Sequence, residues 1–376
     1  MDATRKNTSV FPHGHIDRST WKRVRLGDVL QVCHGKCQHT IESNTGKYPI
    51  LATSGEIGRT DSYLYDKPSV LIGRKGTIDK PQYIDTPFWT IDTLFYTKIA
   101  EGYNPKFLYY LCLTIDWASM NEASGVPSLS ANRIESLEVT IPDIDEQDKI
   151  TNALSSIDKH VSTLDALIAK YDAIKKATVN LLLEPKKDWR CGKLADVCDN
   201  FTGLTYAPED VSDSGILVLR SSNIQNEALS FADNVMVKCS VPERATVKAG
   251  DLLVCVRNGS RKLIGKSAVI TSAAEGMAFG AFMTILRATA LDQLFLSYLW
   301  QSSIIQKQIE ESLGATINQI TNADIKRFEI YYPTSIEDQR KIAEQISAID
   351  KVLADYKAQL EKARQLKAGM MSYFFG

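Results

Sequence analysis

This chain is written twice, and that constrains its fold more than any other feature, because whatever one copy forms the other must be able to form as well. "WKRVRLGDV" (Trp21 to Val29) recurs as "WRCGKLADV" (Trp189 to Val197), and "IGRKG" (Ile72 to Gly76) matches "CVRNG" (Cys255 to Gly259). In the second match an apolar run ends in Arg, one variable residue and Gly. "YNPKFLYYL" (Tyr103 to Leu111) matches "LDQLFLSYL" (Leu291 to Leu299), and each reads as a helix capped by Asn104 or Asp292. "DEQDKITNALSSIDKHV" (Asp145 to Val161) matches "EDQRKIAEQISAIDKVL" (Glu337 to Leu353). The spacing between matches grows along the chain, so the second copy carries insertions.

That last match opens a heptad pattern. Apolar residues fall in alternating steps of four and three at Ile150, Leu154, Ile157, Val161, Leu164, Ile168 and Tyr171, and in the same register at Ile342, Ile346, Ile349, Leu353, Tyr356, Leu360 and Ala363. No Pro or Gly interrupts either run before Pro185 or Gly369. Helices of that length span roughly 55 to 60 Å at about 1.5 Å per residue. A single one leaves its seam wet, whereas two in one chain can bury their seams against each other. The alternative is that each lies on its own globular unit; the narrow shared register favours mutual pairing.

The expected architecture is α+β: an N-terminal arm at 1–20, a mixed unit at 21–142, a long helix at 143–184, a second mixed unit at 185–333 and a second long helix at 334–376, the two helices pairing as an antiparallel coiled coil. Strand-like runs bounded by turn residues, such as "SVLIGRKG" and "DLLVCVRNGS", supply the sheet content of each unit.

Net charge of −1 over 376 residues rules out a globally basic nucleic-acid binder, so any polyanion must be met by local patches. With 44% hydrophobic and 24% charged residues the chain can bury cores without staples. Its seven cysteines are odd in number and form no C-x-x-C pair, which reads as reduced thiol usage in the cytosol. The first twenty residues hold no apolar run, and none elsewhere reaches the ~18 residues of a membrane span, so a cytoplasmic protein is expected.

The repeat also weighs the motifs. "CHGKCQH" packs Cys33, His34, Cys37 and His39 into seven residues and invites a zinc reading, but no second ligand pair follows. The other copy puts Phe201, Thr202, Thr205 and Ala207 in their places while keeping Gly35 as Gly203, so no metal is expected. The glycine suggests a backbone angle that other residues resist. "NPKF" (Asn104 to Phe107) approaches an adenine-methyltransferase signature, yet its partner reads "DQLF" and no Gly-rich loop precedes it; it is a helix cap. The Arg-x-Gly turns differ, because both copies set them among phosphate- and base-reading side chains: Arg74, Lys75, Thr77 and Lys80 in one, Arg257, Asn258, Ser260, Arg261, Lys262 and Lys266 in the other. No Walker loop, nucleophile elbow or paired-carboxylate motif is present, and no catalytic residue is assigned.

This pattern resembles the specificity subunit of type I restriction-modification enzymes, from Trp21 to the C-terminus. The resemblance rests on the junction "IPDIDEQDKI" (Ile141 to Ile150), its diverged copy "YPTSIEDQRKI" (Tyr332 to Ile342), and two dissimilar stretches, Gly73 to Tyr96 and Asn258 to Arg287, that look like two target-recognition domains. It implies a subunit that reads two different short DNA sequences separated by a fixed unread run, the helices acting as a ruler between two recognition domains. It also implies two methylation subunits, which bring S-adenosylmethionine and flip the base, and a motor-nuclease subunit. The competing class is a protein-protein adaptor with two heads on a coiled-coil spacer and no DNA role.

Overall fold

The computed structural model describes residues 18–314 and 318–376. Of the arm expected at 1–20, only Arg18–Thr20 is described, as one turn of 3-10 helix; the rest lies outside the described residues. The chain divides into two compact units, Met1–Asp165 with Gln359–Gly376, and Ala166–Ala358. The division cuts both long helices, which run Ile144–Leu182 and Ile336–Phe375.

Each unit holds one mixed lobe built to the same plan. In the first, an antiparallel sheet runs in the order Leu30–Cys33, Leu94–Ile99, Ser69–Gly73, Gln82–Ile84. In the second, Cys198–Thr202, Met283–Ala288, Leu252–Cys255 and Ser267–Val269 follow the same order. The central strands Ser69–Gly73 and Leu252–Cys255 are buried at every residue, which is why they read as unbroken apolar runs. A smaller sheet in each lobe centres on Tyr48–Ala52 or Ile216–Leu219, with one antiparallel neighbour and one short parallel one. The caps are as the sequence expects: Asn104 Oδ1 accepts from the N–H groups of Lys106 and Phe107, and Asp292 Oδ1 from those of Leu294 and Phe295.

Each lobe begins and ends at one place. Lys22–Arg25 pairs antiparallel with Glu138–Ile141, and Arg190–Lys193 with Glu329–Tyr332, so each long helix leaves its lobe beside the strand with which that lobe starts.

Within each unit the two long helices pair antiparallel. In the first, Asp158 meets Lys367 at 2.5 Å and Asp165 meets Arg364 at 3.2 Å. In the second, Tyr171 packs edge-on against Tyr356 with centroids 5.4 Å apart, and Lys175 meets Asp350 at 2.7 Å. The seam is less even than its spacing suggests. Ile150, Leu154, Ile157, Leu164, Ile346, Leu353 and Leu360 are buried, whereas Val161, Ile168, Ile342, Ile349 and Tyr356 are half-buried. Two helices alone leave the flanks of a seam open to water, and a lobe can supply the third wall. Ala343 and Ile346, for example, join one core with Val179, Leu183, Phe295 and Leu299. At these turns the second helix lies on its own lobe and Val179 and Leu183 of the first helix enter the same core, while between them the two helices pair with each other. Leu154→Ala, at a fully buried seam position, is expected to cost about 2–5 kcal/mol, and the same change at half-buried Ile168 less; urea unfolding of the two variants checks the ranking.

Candidate nucleic-acid interface

The loop after the central strand is built by the same backbone bonds in both lobes. The N–H groups of Arg74 and Lys75 both donate to Thr93 O, at 2.9 and 3.2 Å, and those of Val256 and Arg257 both donate to Phe282 O, at 3.0 and 3.2 Å. Leu129 N donates to Arg74 O and Ile320 N to Val256 O, each at 3.0 Å. Lys75 bridges to Ser128, and Arg257 to Gln319.

Arg257 thus stands where Lys75 does, and Arg74 where Val256 does. The Arg-x-Gly match read from sequence is displaced by one residue from this hydrogen-bond register. The glycines are not counterparts either: Gly76 has φ +91, while Gly259 has an ordinary φ and open space around it. What the two lobes share is a basic side chain at the first exposed position after the strand.

The sequence candidates separate into two groups. Lys75, Lys80, Arg257, Ser260 and Lys262 are exposed. The Arg257 guanidinium lies 5.0 Å from the centroid of the Phe282 ring, itself 55% exposed, and this stacking holds the cation at the surface. The others are engaged by the lobe. Half-buried Arg74 donates to Asp92 O at 3.0 Å, and Thr77 is half-buried as well. Asn258 donates to Ser221 Oγ at 2.9 Å and accepts from Ser260 N at 3.0 Å, and Lys266 donates to Ser221 O at 3.2 Å. Arg261 is exposed but turns to Glu310 O and Gly314 O, at the C-terminal end of the helix Ser303–Ser312, where a cation suits the helix dipole.

Sequence reasoning missed the neighbouring loop. "RSSN" (Arg220 to Asn223) follows the strand Ile216–Leu219, and its Ser221 receives both Asn258 and Lys266. Buried Asn223 donates to Ser230 O and Asp233 O at 3.0 Å and accepts from Arg220 N at 2.9 Å, which fixes the turn. A cleft of about 580 Å³ beside it is lined by Tyr206, Arg220, Ser222 and Phe282 among others. Arg220 Nε and Ser222 Oγ have no hydrogen-bond partner among the described residues. The composition that singled out the Arg257 loop is present here too, and would have found it.

The "CHGKCQH" segment begins on Cys33, the last residue of the edge strand Leu30–Cys33. His34 packs edge-on against Phe95, and among the described residues no cluster of three or more His, Cys, Asp or Glu is arranged to hold a metal ion. Gly35 is required for a different reason from the backbone angle expected. Its φ lies outside the left-handed region, but a Cβ would stand 2.0 Å from Ile91 O; at Gly203 it would stand 2.1 Å from Gly280 O. In both lobes the backbone crosses another segment at contact distance. The seven cysteines are free thiols, and burial pushes Cys112 and Cys198 up to about 12.

The sequence model described as "Type I restriction modification DNA specificity domain" matches this chain twice, over residues 18–172 and 186–363. The chain belongs to this family. Among curated members it is similar to the type I restriction enzyme MjaVIII specificity subunit of Methanocaldococcus jannaschii, 23% identical over 412 residues that cover 94% of this chain and 92% of that one. It is also similar to the EcoKI specificity subunit of Escherichia coli, 29% identical over 47% of this chain and 39% of that one. Among solved structures, the S subunit of a type I restriction-modification system from M. genitalium shares the fold, with a TM-score of 0.66 at 14% identity over 95% of this chain and 96% of that one.

As a type I specificity-family chain, it also explains its own junction motif. Gln147, 1% exposed, accepts from Asn104 N and donates to Pro142 O, both at 2.9 Å. Gln339, fully buried, accepts from Asp292 N at 2.7 Å and donates to Pro333 O at 2.8 Å. Each glutamine ties the exit of its lobe and the cap of its lobe helix to the first turn of a long helix. The extra residue in the second junction is taken up between Pro333 and Gln339 without loss of either bond. Further along, Tyr110 OH donates to Asp158 and Tyr298 OH to Asp350, both at 2.7 Å. Each lobe therefore grips its long helix at two polar points. No described helix is long and apolar enough to cross a membrane.

Proposed function

We propose that this chain is the non-catalytic, DNA-reading subunit of a type I restriction-modification complex in the cytoplasm, and that it reads an asymmetric bipartite site with one recognition domain on each half. One observation carries the reading: a scaffold matched twice by a DNA-specificity domain presents the same strand-to-loop geometry in both lobes with different side chains, Lys75 in one and Arg257 in the other. Repeated scaffolds suit two half-sites, and different loop chemistry suits two different sequences. The long helices set the separation between them. The partners are two methylation subunits and the motor-nuclease subunits, a reading supported by relatives named as specificity subunits of type I restriction enzymes. S-adenosylmethionine belongs to the methylation subunit, as does base flipping. A chain with net charge −1 leaves much of the neutralisation of DNA phosphates to those partners.

Gel-shift titration of the chain assembled with its methylation subunit tests this. Lys75→Ala and Arg257→Ala are each expected to weaken cognate binding by about 1–3 kcal/mol where the side chain meets a base edge, or to lower the salt slope by about 0.9 where it meets a phosphate. Assembly should be unaffected. Unchanged affinity in both variants refutes the loop assignment, and equal wild-type affinity for all DNA sequences returns the chain to the adaptor class.

A further inference from the structure

The heptad pattern continues one step past its apolar residues. Four residues beyond Tyr171 lies Lys175, and four beyond Ala363 lies Lys367, so each long helix places a lysine on its own seam. The two occupy equivalent repeat positions and meet equivalent aspartates, Asp350 at 2.7 Å and Asp158 at 2.5 Å. They differ in what else they meet. Lys367 is 30% exposed, whereas Lys175 is 9% exposed and bonds a second carboxylate, Glu227, at 2.5 Å. Its ammonium also lies 5.7 Å from the centroid of the Tyr298 ring, whose hydroxyl holds Asp350. Burial alone would lower the Lys175 pKa, but the two carboxylates outweigh it and the net shift is upward.

Glu227 reaches Lys175 from a two-residue hairpin between Ile224–Gln225 and Ala228–Leu229 in the second recognition domain. Asn226 has φ 52 and Glu227 φ 64, and among the described residues these are the two non-glycine positions in the left-handed region. Such a turn normally places Gly second, since a side chain there is strained. Strain of this kind persists where the surroundings hold it in place, and here the carboxylate at the strained position ends on a buried cation. The pair sits in the wall of a cavity of about 580 Å³ that is also lined by Asp172, Lys262, Lys266 and Ser303, so beside this cavity the hairpin tip meets the helix through the ion pair itself. A buried polar residue on a helix seam can set register, and a lysine there accepts a partner of one geometry.

We propose that Glu227 is a positioning residue which clamps the second recognition domain onto the long helix through Lys175, and so fixes the separation at which that domain reads its half-site. This rests on the DNA-reading function proposed above.

Two variants of the full chain test it. Glu227→Gly relieves the strained φ while removing the carboxylate, and Glu227→Gln keeps size and strain while removing the charge. If Glu227 only forms a turn, Glu227→Gly holds or raises the melting temperature and leaves hydrogen exchange of the hairpin amides unchanged. The clamp requires the opposite: faster exchange at Gln225, Ala228 and Leu229 by about tenfold or more in both variants, the change that ~1.4 kcal/mol of lost docking produces. The functional readout is adenine methylation of genomic DNA by the chain assembled with its methylation subunit. Both variants should keep the wild-type half-site sequences but methylate sites whose unread run is longer or shorter by a base pair, at a several-fold higher fraction than wild type. Wild-type spacing in both variants overturns the proposal even if exchange quickens, because the contact is then structural only, and slow exchange with glycine overturns it outright. Methylation by wild type without any sequence preference would instead sink the DNA-reading function, leaving the exchange measurement to decide the clamp.

Discussion

Replacing Gln339 with Leu is expected to lower the unfolding free energy of the chain by about 2–6 kcal/mol, from two buried groups left unpaired at about 1–3 kcal/mol each. Leu is close to Gln in volume, so little packing is lost. What disappears is the acceptor for Asp292 N, 2.7 Å away, and the donor to Pro333 O, 2.8 Å away, in a place closed to water. Total stabilities of ~5–15 kcal/mol make such a loss large. Gln147→Leu removes the equivalent bonds to Asn104 and Pro142 and should cost about the same in the first unit. Urea unfolding followed by circular dichroism reads both, and a change under ~1 kcal/mol in either would mean that the junction is held by apolar packing alone.

The other large effect is expected at the crossing glycines. In Gly203→Ala the new Cβ would stand 2.1 Å from Gly280 O and 2.6 Å from Phe279 O, both backbone atoms that no rotamer change can move aside. The edge strand Cys198–Thr202, paired with Met283–Ala288, would have to shift bodily. A cost of about 3 kcal/mol or more is expected, at or above the top of the range for overpacked cores. Gly35→Ala should behave alike, its Cβ meeting Ile91 O at 2.0 Å. Gly259→Ala is the control: with no atom within 4 Å and an ordinary φ, it should change stability by less than ~0.5 kcal/mol. A similar cost at Gly203 and Gly259 in urea midpoints would refute the crossing as the cause.

Both sites were half legible. The sequence shows Gly35 matched by Gly203 while the Cys and His around them change, which marks the glycine as the structural residue of the segment. It does not show why, because a close approach belongs to two segments, here Gly35 and Thr90–Ile91, far apart in the chain. Gln147 and Gln339 stand out as the residues common to two junctions of different length, but their partners Asn104 and Asp292 lie 43 and 47 residues upstream. The loops after the central strands show the same limit more sharply. The match of "IGRKG" to "CVRNG" located the right turns, yet equated Arg74 with Arg257 where the hydrogen bonds equate Lys75 with Arg257. Side-chain similarity rewards Arg over Arg, whereas register is set by Thr93 and Ser128 in one lobe and by Phe282 and Gln319 in the other.

What is local or periodic can be read from the residues alone: the duplication, the two helices with their shared seam, the capped starts at Asn104 and Asp292, and the family that such a pattern resembles. Local rules suffice there, because a cap spans three residues and a heptad spans two turns of one helix. Folding settles which basic side chains stay exposed at the loops, which ones the lobe engages, and that the lysine ending one seam meets a carboxylate from a strained hairpin. Those outcomes are relations between segments brought together by folding, and a one-residue slip or an added partner at Lys175 leaves no trace in composition or spacing.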